Sequence, residues 1–148
     1  MARLATVLGI DRAEIVDAQW AANGPNWIAL LLPSAEAVLA LRPGRVEVDL
    51  GVVGPYPPGG PYPPGGPAAF EVRAFFPKDG STAEDPVTGS LNAALAGWLV
   101  ATGRAELPYV ASQGTVLGRA GRVHLSGNAG GIWVAGVTLT CVRGEVEL

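Results

Sequence analysis

The segment from Pro86 to Gly103 carries no charged residue, and its apolar side chains fall on every face instead of along one stripe. A helix of that kind must be enclosed nearly all round. Gly103 stands where a glycine caps a helix C-terminus, and Arg104 follows where a cation suits the negative end of the macrodipole. A chain of 148 residues suits one domain with a real core. The simplest enclosure is therefore a sheet curled around this helix.

The flanking sequence supplies that sheet. Asp11-Arg12-Ala13-Glu14 has capping-box spacing and predicts a short helical turn. Residues 27–32 read as a buried strand, and residues 34–41 as a helix capped by Ser34 and stopped by Pro43-Gly44. Val46 to Leu50 alternates apolar and polar, as a half-buried strand does. Phe70 to Phe76 reads as a further strand closed by Pro77. After Gly114 come short strand patterns at 122–126, 132–134 and 138–142, separated by glycine turns. The expected class is α+β: one domain over residues 1–148, mostly antiparallel sheet curled into a barrel around a central buried helix. Within it, Gly54-Pro55-Tyr56-Pro57-Pro58-Gly59 is repeated at once as Gly60 to Gly65. Prolines cannot donate to a ladder, so residues 54–67 read as an exposed loop insertion, partly polyproline II.

Composition narrows the function. Hydrophobic residues are 49% and charged residues 16%, which argues against disorder. The net charge is −3 with no basic block, so nothing points to nucleic acid. No apolar run approaches the ~18 residues of a membrane span. The N-terminal ten residues have a weak signal-like flavour that Asp11 and Arg12 interrupt, and the expected location is cytoplasmic. A single cysteine, Cys141, and a single histidine, His124, exclude an intrachain disulfide framework and any multi-Cys or His-rich metal site. No Gly-x-Gly-x-x-Gly or phosphate-loop pattern is present, so no cofactor is expected.

The chemistry concentrates at the start of the uncharged helix. The first N–H groups of a helix lack intrahelical partners, and the dipole adds about half an elementary charge of attraction for anions. Thr88, Gly89 and Ser90 combine hydroxyl donors with an open backbone, a doorway for a carboxylate or phosphate. Glu84 and Asp85 stand just upstream, either as proton carriers or as ordinary caps.

The order Val72-Arg73-Ala74-Phe75-Phe76-Pro77, then Glu84-Asp85-Pro86-Val87-Thr88-Gly89-Ser90, resembles the signature of the PhzF-like (phenazine-biosynthesis) isomerase family, of the diaminopimelate-epimerase-like fold. Ser112-Gln113-Gly114, Leu117 to Val123 and Trp133 to Val137 add to the resemblance. So does Gly24, placed where the family has a glycine turn before a strand. It implies a two-domain enzyme of which this chain matches only the second domain. The family's catalytic glutamate lies in the first, and nothing here matches that segment. By resemblance, Asp85 orients the substrate or handles a proton, and Gly89 and Ser90 donate to its carboxylate. Thr88, Asn23 and Gly24 border the cleft; Asn23 and Asn26 are otherwise turn formers. A cysteine racemase mechanism finds no thiol at the helix start.

The expected function is half of an isomerase or epimerase acting on a small carboxylate, with the missing wall supplied by a homodimer partner or a separate first-domain chain. The alternatives are a non-catalytic small-anion module and a structural remnant that docks a partner. Elsewhere, Trp20, Trp27, Trp98 and Trp133 read as core and Cys141 as core or half-buried. His124 reads as a surface residue, and Arg73 and Arg119 as salt-bridge partners.

Overall fold

In the computed structural model, which describes residues 2–59 and 66–147, two helical crossovers set the strand order. Strand β1 (Asp17–Ala22) pairs antiparallel with β2 (Asn26–Leu31) around a turn at Gly24. From β2 the chain passes through α2 (Ala35–Ala40) and returns as β3 (Leu50–Pro55), parallel to β2. Strand β4 (Phe70–Lys78) lies antiparallel to β3 and carries β5 (Ser81–Asp85) as a side branch. A second crossover, through α3 (Gly89–Ala101), places β6 (Tyr109–Gln113) parallel to β4. Strands β7 (Gly121–Asn128) and β8 (Gly131–Ala135) finish the sheet as an antiparallel meander. Parallel neighbours need a crossover connection, and α2 and α3 provide the two found among the described residues. The result is a mixed α+β fold with a strongly curled, half-barrel sheet ordered β1-β2-β3-β4-β6-β7-β8.

Strand alternation divides the interior into two cores. Trp27, Ala29 and Leu31 of β2, with Phe70, Val72 and Ala74 of β4, face α3 and meet Leu91, Leu95, Ala96, Trp98 and Leu99. Leu30, Leu50, Val52 and Phe75 face the other way, onto Val38 of α2 and Ala5 and Leu8 of α1 (Ala2–Leu8). The capping boundaries come out as read. Ser34 Oγ accepts from Ala37 N at 3.2 Å. Asp11 N donates to Glu14 Oε1 at 2.8 Å at the start of a short 3-10 turn. Thr102 ends α3, and Gly103 adopts φ +68° beyond it. Gly103 N and Arg104 N then bond Val100 O and Leu99 O, a Schellman arrangement.

Several expectations change. Residues 46–49 are not a strand; the strand starts at Leu50 and is buried on both faces, which removes the alternation that a half-buried strand shows. Gly54 and Pro55 belong to β3 and not to the loop. A side chain at Gly54 would lie 2.2 Å from Ser34 O. The second copy of the repeat, residues 60–65, lies outside the described residues. Strand β4 runs through Pro77 to Lys78, since Pro77 pairs with Thr82 beyond the end of β3. Enclosure of α3 is incomplete: Ala93, Ala94 and Gly97 are half-buried, and Val100 and Ala101 are exposed. Residues 138–142 form no strand, and Cys141 is exposed. Trp27 and Trp98 are core residues, whereas Trp20 and Trp133, on the two end strands, are 68% and 58% exposed. His124 is exposed on β7, as its strand phase requires.

Candidate functional site

The approach to α3 is built by β5, a two-residue bend at Pro86-Val87, and the cap residue Thr88. Asp85 ends β5 opposite Ala74 and is half-buried. Its Oδ2 accepts a 2.7 Å hydrogen bond from Thr88 Oγ1. The Thr88 proton is therefore used inside the protein, and its side chain makes no capping bond to the helix. The backbone N–H of Thr88 is likewise taken, by Gln113 Oε1 at 3.0 Å.

Gln113, fully buried at the end of β6, organises the whole approach. Its Oε1 also accepts from Asn92 Nδ2 at 2.9 Å. Its Nε2 donates to Asp85 O and to Thr88 Oγ1, both at 2.9 Å. Asn92 Nδ2 returns to Thr88 O at 2.9 Å. The carboxamide thus uses two donors and two acceptors, its ordinary complement. Close packing behind this cluster requires Gly114, whose φ is +87° and where a Cβ would sit 2.7 Å from Pro86 O.

In front of the cluster the surface is open. Gly89 is exposed, and a Cβ there would meet nothing within 4 Å. Among the described residues, neither Gly89 N nor Ser90 N has a hydrogen-bond acceptor, as expected for the first turn of a helix. Asn23, in the β1–β2 turn, donates from Nδ2 to Ser90 O at 3.4 Å, which brings that turn to the helix start. Gly24 beside it holds φ +81° with open space around it. Asp85, Thr88, Gly89, Ser90, Asn23 and Gly24 are therefore gathered at one end of α3.

Glu84 is not part of this group. It is claimed by Arg73, whose Nε and Nη2 bond its two carboxylate oxygens at 2.9 and 2.7 Å. Arg73 Nη1 also donates to Val38 O and Leu41 O at the end of α2, so its charge is satisfied in the core. That leaves Asp85 as the carboxylate at the helix start, with both Glu84 oxygens held by Arg73. Arg119 is exposed and makes no ion pair among the described residues.

The sequence reading missed Asn92 and the bracing role of Gln113. Asn92 was legible in principle, as the one amide inside an otherwise apolar helix, four residues after Thr88. Among the described residues, no cluster of His, Cys, Asp or Glu has metal-binding geometry. No helix among them is long and apolar enough to cross a membrane.

The fold has known counterparts. A PhzF-family phenazine biosynthesis protein from Bacillus anthracis superposes with a TM-score of 0.68 at 14% identity, covering 89% of this chain and 49% of that one. Its counterpart from Enterococcus faecalis gives 0.62 at 20% identity, covering 90% of this chain and 49% of that one. The chain thus spans about half the length of the solved structures it matches. No curated protein matches the sequence. The sequence model of the phenazine biosynthesis-like proteins, PhzC-PhzF, matches residues 1–140, and the chain belongs to that family.

Proposed function

We propose that the chain forms one wall of an isomerase- or epimerase-type site for a small carboxylate-bearing substrate. The facing wall comes from a second chain, either another copy or a separate first-half chain. The observation that carries this reading is the juxtaposition at the start of α3 of open Gly89 and Ser90 N–H groups with the braced Asp85 carboxylate. The N–H groups suit a substrate carboxylate and, once a proton leaves the adjacent carbon, the dienolate-like charge that develops on it. Asp85 is placed to accept that proton and return it to another position, the electron pair passing meanwhile into the conjugated carboxylate. Thr88 fixes the Asp85 rotamer through Oδ2 and leaves Oδ1 for the substrate. In the assembled form, α3 becomes the enclosed central helix of a closed barrel, and the protein works in the cytoplasm.

A second reading, a non-catalytic binding module for small anions, is favoured by the commitment of Glu84 to Arg73, which leaves a single carboxylate at this wall. The two separate by proton exchange. The protein is incubated with a panel of small carboxylic acids in deuterated water, and incorporation at carbon is followed by NMR. Exchange that disappears in Asp85→Asn, with folding retained, supports the enzyme. Absence of exchange with every acid, together with benzoate-dependent shifts of the Gly89 and Ser90 amide signals, supports the module.

A further inference from the structure

The main strand path of the sheet ends at β1 and β8, each with one unpaired edge among the described residues, and α3 touches both. Between them, along the incompletely covered side of α3, runs a groove of about 560 Å³ lined by Trp20, Ala22, Ala93, Ala94, Gly97 and Ile132. Natural sheets protect exposed edges with lysine, proline or bulges. Neither edge has lysine or proline: β1 reads Asp-Ala-Gln-Trp-Ala-Ala and β8 reads Gly-Ile-Trp-Val-Ala. Both instead display an exposed tryptophan.

An exposed, partly apolar segment leaves the fold at this place. Beyond β8, residues 136–147 have no regular structure. Yet Val137-Thr138-Leu139-Thr140-Cys141 alternates apolar and polar as a strand does. Val137, Leu139, Val142 and Val146 are 82–92% exposed. Alanine and glycine supply most of the groove lining beside Trp20, Trp98 and Ile132, and the arm carries the apolar Val137, Leu139 and Cys141 at alternate positions. An extended segment adds to an open edge through its backbone while alternate side chains fill pockets.

We infer that residues 137–142 of a second copy insert as a strand along the β1 edge, over Ala93 and Gly97, and that the exchange is reciprocal. The arm continues directly from β8, which borders the groove. A twofold axis that carries one arm into its partner's groove therefore carries the other back, giving an isologous contact. Val137 and Leu139 of each copy, four large apolar side chains in all, leave water together. This names how the second chain of the proposed site is held; it rests on that reading only in choosing another copy as the partner. The groove begins at Asn23, beside Ser90, so the inserted strand also borders the candidate site.

Cys141, the only cysteine, provides the probe. Unlabelled protein carrying a nitroxide on Cys141 is mixed with ¹⁵N-labelled Cys141→Ser protein. Light scattering should report twice the chain mass, with paramagnetic broadening of amides 18–22 and of Ala93 and Gly97 in the ¹⁵N chain. Leu139→Asp should raise the dimer dissociation constant at least about tenfold, a cost of ~1.4 kcal/mol, with the circular dichroism of the monomer unchanged. A monomer at every concentration overturns the inference. So does broadening confined to other surfaces, or broadening absent from the mixture but present in a ¹⁵N-labelled chain that itself carries the nitroxide, which means the arm closes its own groove. A dimer broadened at β1 but inactive in proton exchange refutes the isomerase reading and leaves this one standing. Proton exchange by a strict monomer overturns this inference and, with it, the second-chain wall of the proposed site.

Discussion

Replacing Gln113 with leucine tests whether one buried carboxamide holds the approach to α3 in place. The side chain has no exposure, and its four hydrogen bonds are 2.9–3.0 Å long. Leucine fills a similar volume but offers no polar atom. Asn92 Nδ2 keeps its bond to Thr88 O, and Thr88 Oγ1 keeps its bond to Asp85. Thr88 N–H and Asp85 C=O lose their partners. The orphaned, buried Thr88 N–H costs about 1–3 kcal/mol, the half-buried Asp85 C=O costs less, and burying leucine instead of an amide returns part of the total, leaving a loss of roughly 2 kcal/mol. In urea titration this appears as a midpoint lower by about 1 M with an unchanged slope. A shift below about 0.3 M would refute the claim that these bonds brace the segment. Gln113→Glu sharpens the test: it retains the shape but turns an oxygen toward Asp85 O and Thr88 Oγ1, and it should destabilise at least as much.

Glu84→Gln leaves the Arg73 guanidinium buried without its counter-charge and should cost about 3–5 kcal/mol in the same titration. Ser34→Ala removes the cap of α2 and should cost about 1 kcal/mol, read as a lower thermal midpoint. Arg104 bonds Asp17 at 2.6 Å and, with the Ala18 N–H, holds the Asp17 carboxyl below the usual carboxylate range. That stabilisation is present above the ordinary value of 3.8 and is lost as pH falls through the lowered one, so Asp17→Asn should flatten the acid limb of stability against pH. Burial, and then the bond to Glu71, push the Tyr56 hydroxyl well above its ordinary 10.0. Its contribution is complete below pH 10 and is lost as pH rises, so Tyr56→Phe should show a shallower alkaline decline in stability.

The local signals were readable because each depends on a few adjacent residues. Ser34, Asp11 with Glu14, and Gly103 act through their own backbone neighbourhood, and the structure places all three as the sequence implied. Alternation was a weaker guide. It misplaced the strand now seen at Leu50–Pro55, where both faces are buried and no period survives. At 137–142 the pattern is present, but no neighbouring strand among the described residues receives it. Trp20 and Trp133 looked like core by residue type, yet they sit on end strands and stay 68% and 58% exposed among the described residues.

The sequence by itself determined the uncharged helix, its glycine stop, and the Asp85-to-Ser90 approach with an open backbone at Gly89. Those properties follow from residue type and spacing over a few turns. Tertiary structure decided which groups are free to act. The parallel pairing of β4 with β6 carries Gln113 to Thr88 and Asp85 across 25 and 28 residues of chain. The antiparallel pairing of β4 with β5 sets Phe75 opposite Glu84 and brings that carboxylate to the Arg73 guanidinium. Hydrogen bonding and charge pairing act over about 3 Å, and only the folded sheet sets those distances.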